Sequence, residues 1–247
     1  MSSARSLVRS WIPQNLKQSL QRALLGYHSY APSFSVAGED MILRHLVGSD
    51  KRDGFYVDIG AYDPMIFSNT YFFYLNGWSG INIDARPGSR AAFQRVRPRD
   101  TNLEIGISRN RGELTYYMIG EDSAMNSFSR SFLEQIKMLG EVKQEIQVPV
   151  EPLADVLSRH LPEQQVIDFM NVDVEGHGLE VIESNNWERF RPHFLVIEDE
   201  EVDLEQSTVI KVMREHDYDV CAQNVMILGK INDYFLIDSR WRRSLGN

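Results

Sequence analysis

From residue 55 onward, short apolar runs closed by an acid or a glycine alternate with amphipathic stretches. Phe55–Gly60 (FYVDIG), Gly80–Ala85 (GINIDA), Leu103–Ile107 (LEIGI), Phe169–Val174 (FMNVDV) and Phe194–Glu198 (FLVIE) are nearly continuous in apolar character. Runs of that length fit parallel strands covered on both faces. Between them the periodicity predicts helices over Phe67–Asn76, Ser89–Val96, Leu153–His160 and Gly178–Ser184, the first two stopped by Gly77 and Pro98. Leu114–Met118 and Ile146–Val150 predict two strands inserted between the third and fourth of the series. Tyr218–Val220 and Asp233–Ile237 predict two final strands, with Gly229 suited to a hairpin turn between them. Strands alternating with helices predict an α/β fold with a doubly wound, Rossmann-like sheet.

In such a sheet ligands bind beyond the carboxyl ends of the strands. The residues there are Asp58, Gly60, Asp84, Gly106, Asp173, Glu175, Glu198 and Asp199, six of them carboxylates. A buried acid is costly without a partner, so a row of acids at successive strand ends marks a site. Asp84 closes the second run where dinucleotide folds place the acid that grips ribose hydroxyls. Yet the G-x-G-x-x-G fingerprint is missing, and only Gly60 follows the first strand. A pyrophosphate needs those bare amides, and Asp58 at the turn repels phosphate. The ligand that fits is an adenosyl nucleoside carrying an ammonium, a sulfonium and no phosphate. A nicotinamide oxidoreductase is disfavoured on the same ground. A non-catalytic nucleoside-binding module would need a broken site, and these residues are intact. The plainer role for Asp58 is a cap on the next helix.

The stretches GED (Gly38–Asp40), FYVDIGAYDP (Phe55–Pro64), SNTYFFYLNGWSGINIDARP (Ser68–Pro87), EIGIS (Glu104–Ser108) and MNVDVEGHGLEVIES (Met170–Ser184) resemble the FkbM family. These are S-adenosylmethionine-dependent O-methyltransferases of class I, with a seven-stranded, mostly parallel sheet. The resemblance implies that Asp58, Gly60 and Ala61 hold the methionine end of the cofactor. It implies Asp84 and Ala85 at the ribose, Gly106 and Ile107 at the adenine, and Glu39, Ser68 and Asn69 near the amino-acid portion. By analogy with catechol-type methyltransferases, Asp173 and Glu198, with Asp199, are candidate ligands for a divalent metal such as magnesium or manganese. Asp173, Glu175 and His177 are candidate catalytic groups, His177 as base or acceptor contact. Rival readings are an acidic first helical turn for Glu175, a solvated helix start for His177 and a solvated acidic face for Glu198–Glu201.

The polar stretch 120–128 precedes a helix and is suited to cover a hydroxyl-rich acceptor. The resemblance points to a sugar hydroxyl of a surface polysaccharide or its precursor, with a polyketide or other small-molecule hydroxyl as the alternative. Composition adds limits. There are 26 Lys and Arg against 35 Asp and Glu, a formal charge of −9, which argues against a nucleic-acid partner. One cysteine, Cys221, excludes a disulfide framework and any multi-cysteine zinc site. No apolar run has membrane-spanning length and no secretory signal is evident, so a cytoplasmic protein is expected. Residues 1–38 hold Arg5, Arg9, Lys17 and Arg22 and no acid, with Leu7, Trp11, Leu16, Leu20 and Leu24 at near-helical spacing. A basic amphipathic helix of this kind suits peripheral contact with an anionic membrane. The domains expected are an N-terminal extension over 1–32 and a methyltransferase domain over 33–247, with oligomeric state left open.

Overall fold

The computed structural model describes residues 31–48, 50–226 and 231–246, and the basic head and the proposed Gly229 turn lie outside them. In chain order the elements are α1 (Glu39–Val47), β1 (Phe55–Ile59), α2 (Tyr71–Leu75), β2 (Ser79–Asp84), α3 (Ser89–Val96), β3 (Thr101–Glu104), β4 (Gly106–Ile107) and β5 (Gly112–Met118). They continue as α4 (Arg130–Gln135), a 3-10 turn (Leu139–Glu141), β6 (Gln144–Glu151), α5 (Leu153–His160), β7 (Phe169–Val172), α6 (Gly178–Glu183), β8 (Phe194–Asp199), α7 (Thr208–Glu215), β9 (Tyr218–Met226), β10 (Ile231–Asp238) and α8 (Ser239–Ser244).

Seven strands form one sheet in the order β3-β2-β1-β7-β8-β10-β9. The first five run parallel, and β10 is antiparallel to both β8 and β9. The fold is therefore the Rossmann-like α/β class read from the apolar runs. Two apolar clusters occupy its two sides: one gathers Val57, Ile59, Ile81 and Ile83 with residues of α5, α6 and α7, the other gathers Tyr56, Phe73, Trp78 and Phe169. Every residue of β1 and β7 is buried, which is why these strands lack a polar alternation. A second, three-stranded sheet, β4-β6-β5, is the small β insertion.

Two expectations need correction. The third run is split: Thr101–Glu104 joins the main sheet and Gly106–Ile107 the small one. The helix expected over 67–76 is only Tyr71–Leu75. Residues 67–70 form a loop because Ser68, Asn69 and Thr70 bond elsewhere through their side chains. Arg97, fully buried at the end of α3, explains much of this. Its Nε donates to the Pro64 carbonyl (2.8 Å), Nη1 to Thr70 Oγ1 (2.8 Å) and Asn82 Oδ1 (3.2 Å), and Nη2 to Ser68 Oγ (2.7 Å). One guanidinium thus fixes the loop from Pro64 to Thr70 against the sheet, a use of its planar fork.

Candidate functional site

The strand order reverses between β1 and β7, and the carboxyl ends of these strands and their neighbours define the site. At the end of β1, Gly60 has φ of 79°, and a Cβ there would stand 1.6 Å from the Asp173 carbonyl oxygen. Only glycine allows the β1 turn and the end of β7 to approach so closely. Asp84, at the end of β2, accepts from the amides of Tyr62 (2.7 Å) and Arg86 (2.8 Å). These bonds orient the carboxylate, while burial raises its pKa to about 6.

Two adjoining cavities open from here. The first is a narrow cleft of about 50 Å³ lined by Asp84, Ala85, Gly106, Ile107, Tyr116, Asn126, Phe128 and His177. The second, of about 470 Å³, is lined by Asp58, Ala61, Ser68, Asn69, Asn171, Asp173, Glu175 and Glu198, with Val36, Phe67 and Met125 among its apolar members. Gly60, Tyr62, Ala124, Asp173 and Glu175 line both. Residues 119–129 cover the junction. They are tied down where Tyr62 Oη donates to the Asp122 carbonyl (2.9 Å), Arg86 Nη1 to the Glu121 carbonyl (3.1 Å) and Ser127 Oγ to the Glu175 carbonyl (2.6 Å).

The larger cavity has an acidic floor. Asp58 accepts from Thr70 Oγ1 (2.6 Å) and Asn171 Nδ2 (3.0 Å), and Asn69 Nδ2 donates to Asn171 Oδ1 (3.0 Å). Those donors offset part of the burial that raises the Asp58 pKa. Asp173, Glu175 and Glu198 each offer an oxygen within 4.8 Å of the others, so together they can hold a cation. Burial, reinforced by the Asp58 charge, pushes Asp173 up to about 7 even though Glu198 donates a hydrogen bond to it. Burial and the mutual repulsion of these acids raise Glu175 and Glu198 well above the carboxylate range. Glu175 is held with φ of 49°, a conformation costly for a side chain with a Cβ, and its buried Oε2 has no hydrogen-bond partner.

Several candidates fall elsewhere. Asp199 points to the other face of β8: its Oδ2 accepts from Ser207 Oγ (2.5 Å) and Oδ1 from the Glu201 amide (3.1 Å), fixing the N-terminus of α7. It does not join the acid cluster, because neighbouring residues on a strand face opposite ways. His177 lines the narrow cleft, not the acid-floored cavity: Gly176, at φ of 81°, turns the chain so that the imidazole packs 5.4 Å from Phe128. Burial lowers its pKa, which favours the neutral imidazole. Glu39 is behind the cavity wall, accepting from the Ala37 amide (3.0 Å) and Asn224 Nδ2 (3.0 Å). One acid was missed in the sequence. Asp233, read only as part of an apolar strand, pairs in register with Glu198. It is buried, donates to Glu39, and is pushed up to about 9 by burial and the charges of Asp173 and Glu39. Its signal was a lone carboxylate inside a strand.

The strand order, the antiparallel β10 and the acid closing β2 define a Rossmann-like fold of the methyltransferase type. The Methyltransferase FkbM domain profile matches residues 58–220, more than half of the chain, and the protein belongs to that family of methyltransferases. Among solved structures, a TehB-like SAM-dependent methyltransferase from Corynebacterium glutamicum is 9% identical with a TM-score of 0.45, covering 91% of this chain and 97% of that one. The N-terminal domain of human METTL16 is 11% identical with a TM-score of 0.44, covering 91% of this chain and 80% of that one. A human methyltransferase 10 domain containing protein is 12% identical with a TM-score of 0.40, covering 97% and 99%. Among curated proteins none matches the chain.

Proposed function

We propose that this methyltransferase moves the methyl group of S-adenosylmethionine to an acceptor hydroxyl, with a sugar hydroxyl of a surface polysaccharide or its precursor as the first choice. The observation that carries the reading is the junction of the Asp84 cleft with the acid-floored cavity at Gly60, Asp173 and Glu175. Asp84 would accept from the ribose diol, Gly106 and Ile107 would flank the adenine, and Gly60, Ala61 and Asn69 would face the methionine end. Asp58 adds a negative charge that favours a cationic, phosphate-free donor. These residues align the donor carbon with the attacking oxygen, and alignment is the main contribution a protein makes to such an in-line displacement.

An alcohol attacks poorly until its proton is taken. Asp173, Glu175 and Glu198 form an all-oxygen donor set that fits magnesium or manganese, and the orphaned Glu175 Oε2 agrees with that fit. When bound, such an ion would lower the pKa of a hydroxyl beside it. One carboxylate of this group, in its ionised form, would take the proton the acceptor hydroxyl gives up. Mass spectrometry of candidate glycans incubated with isotopically labelled donor, with and without exhaustive chelation, tests the reading. Label on a glycan oxygen that disappears on chelation and returns with magnesium or manganese supports it. Label transfer indifferent to chelation removes the metal, and the absence of label from every glycan removes the sugar hydroxyl.

A further inference from the structure

The lining of the larger cavity restricts what can enter beside the acids. Its fifteen residues include four carboxylates, Asp58, Asp173, Glu175 and Glu198, and no Arg, Lys or His. Of the neighbouring guanidiniums, Arg97 is held by Pro64, Ser68, Thr70 and Asn82, and Arg86 donates to the carbonyls of Tyr62 and Glu121 and lines the adjoining cleft, not this cavity. Recognition of a phosphate or carboxylate relies on paired cations or on a helix N-terminus. Among the described residues this wall supplies no cation.

The mouth is apolar. Phe67 lines the cavity with half its surface exposed (51%), flanked by Ile66 (56%) and Met65 (42%), with Val36 (63%) also on the lining. Phe67 is not a core residue that failed to bury. Its ring stacks on Tyr62 with centroids 6.2 Å apart and planes 16° apart. Both residues have positive φ, 55° and 52°, so the backbone holds two aromatic side chains in a conformation that costs energy. Tyr62 is itself pinned through its amide to Asp84. Pro64, two residues on, is gripped by Arg97. The result is a rigid aromatic plate at the mouth of an acid-floored chamber. A ring with an apolar face gains contact on such a plate and pays little to be ordered there.

We propose that the acceptor enters this cavity as an uncharged ring, its apolar face seated on Phe67, and that acceptors carrying a phosphate on that ring are rejected. The inference rests on the hydroxyl-methylation reading and narrows its substrate class from any sugar-containing precursor to neutral glycosides. The test offers a panel of hexoses in two forms, p-nitrophenyl glycosides and the matching sugar 1-phosphates, with labelled S-adenosylmethionine at saturation. Donor affinity is measured separately by calorimetry. The expected result is labelled glycoside with kcat/KM at least tenfold above that of its 1-phosphate. Phe67→Ala should raise the glycoside KM about tenfold with donor Kd unchanged, Phe67→Tyr should keep the KM, and Val36→Arg should narrow the gap between the two forms. Equal or better use of the 1-phosphates, or an unchanged KM in Phe67→Ala, overturns this inference and leaves methyl transfer to sugars standing. Donor binding with no label on either series overturns the sugar reading, and this inference with it.

Discussion

Replacing Glu175 by glycine should make the protein more stable and nearly inactive. Glu175 is held at φ of 49°, where a residue with a Cβ costs about 1–2 kcal/mol, and its buried Oε2 is unpartnered, a further cost of about 1–3 kcal/mol. Glycine removes both but loosens the unfolded chain by about 0.4–1 kcal/mol. The net gain is about 1–5 kcal/mol, which for a chain of this size raises Tm by about 2–18 °C. The assay is thermal unfolding in ion-free buffer beside a methyl-transfer measurement. Glu175→Gln separates the contributions, because it removes the ionisable group and keeps the strain, so its gain should be the smaller. The pH dependence has a fixed sign. Asp173, raised to about 7 in the fold, contributes stability that is complete below its unfolded value near 4 and lost as pH rises through 7. The ion-free protein should therefore weaken between pH 4 and 7, and less steeply in Glu175→Gly. A glycine variant less stable than the parent in ion-free buffer refutes the idea that this turn stores strain to aim a carboxylate.

Other outcomes follow from the same geometry. Because Asp84 must be ionised to accept from a diol and its pKa is about 6, donor affinity should fall as pH drops through 6, and calorimetry of Asp84→Asn should show a flat profile. Asp199→Ala should lower stability by about 1–3 kcal/mol through loss of the Ser207 contact while leaving kcat within about twofold, since Asp199 faces away from the cluster; a large loss of turnover would return Asp199 to the site. The Asp84 cleft is narrow, about 50 Å³, and Ser123, Ala124 and Asn126 of segment 119–129 line it, so this segment is placed to control donor entry. Tyr62→Phe and Ser127→Ala, each releasing one of its ties, should speed donor association in stopped-flow measurements, and unchanged association rates would mean the segment is not the barrier.

The fold was legible because its core strands are apolar throughout and end in chemistry. Phe55–Ile59 and Phe169–Val172 could be read from composition alone, and Asp58, Gly60, Asp84, Asp173 and Glu198 from their place at strand ends. What the sequence hid depends on direction and on distant partners. Asp199 follows Glu198 by one residue, and the two differ only in which face of β8 they meet. His177 was grouped with Glu175 by proximity in the chain, but beyond the left-handed Gly176 it lines only the narrow cleft, while Glu175 also reaches the acid-floored cavity. Arg97 carries no local mark, since its four partners lie in the Pro64–Thr70 loop and on β2, well before it in the chain. Asp233 became visible only when β10 paired with β8 and put it opposite Glu198.

The central claim is that the ends of β1 and β2 receive a cationic nucleoside without phosphates. Titration calorimetry with S-adenosylmethionine and with NADH, on the parent chain and on Asp84→Ala, addresses it directly. The account predicts stoichiometric binding of S-adenosylmethionine, about 10–100-fold weaker after the substitution by loss of charged hydrogen bonds, and no binding of NADH. An affinity for S-adenosylmethionine indifferent to Asp84, or tight binding of NADH, would contradict it.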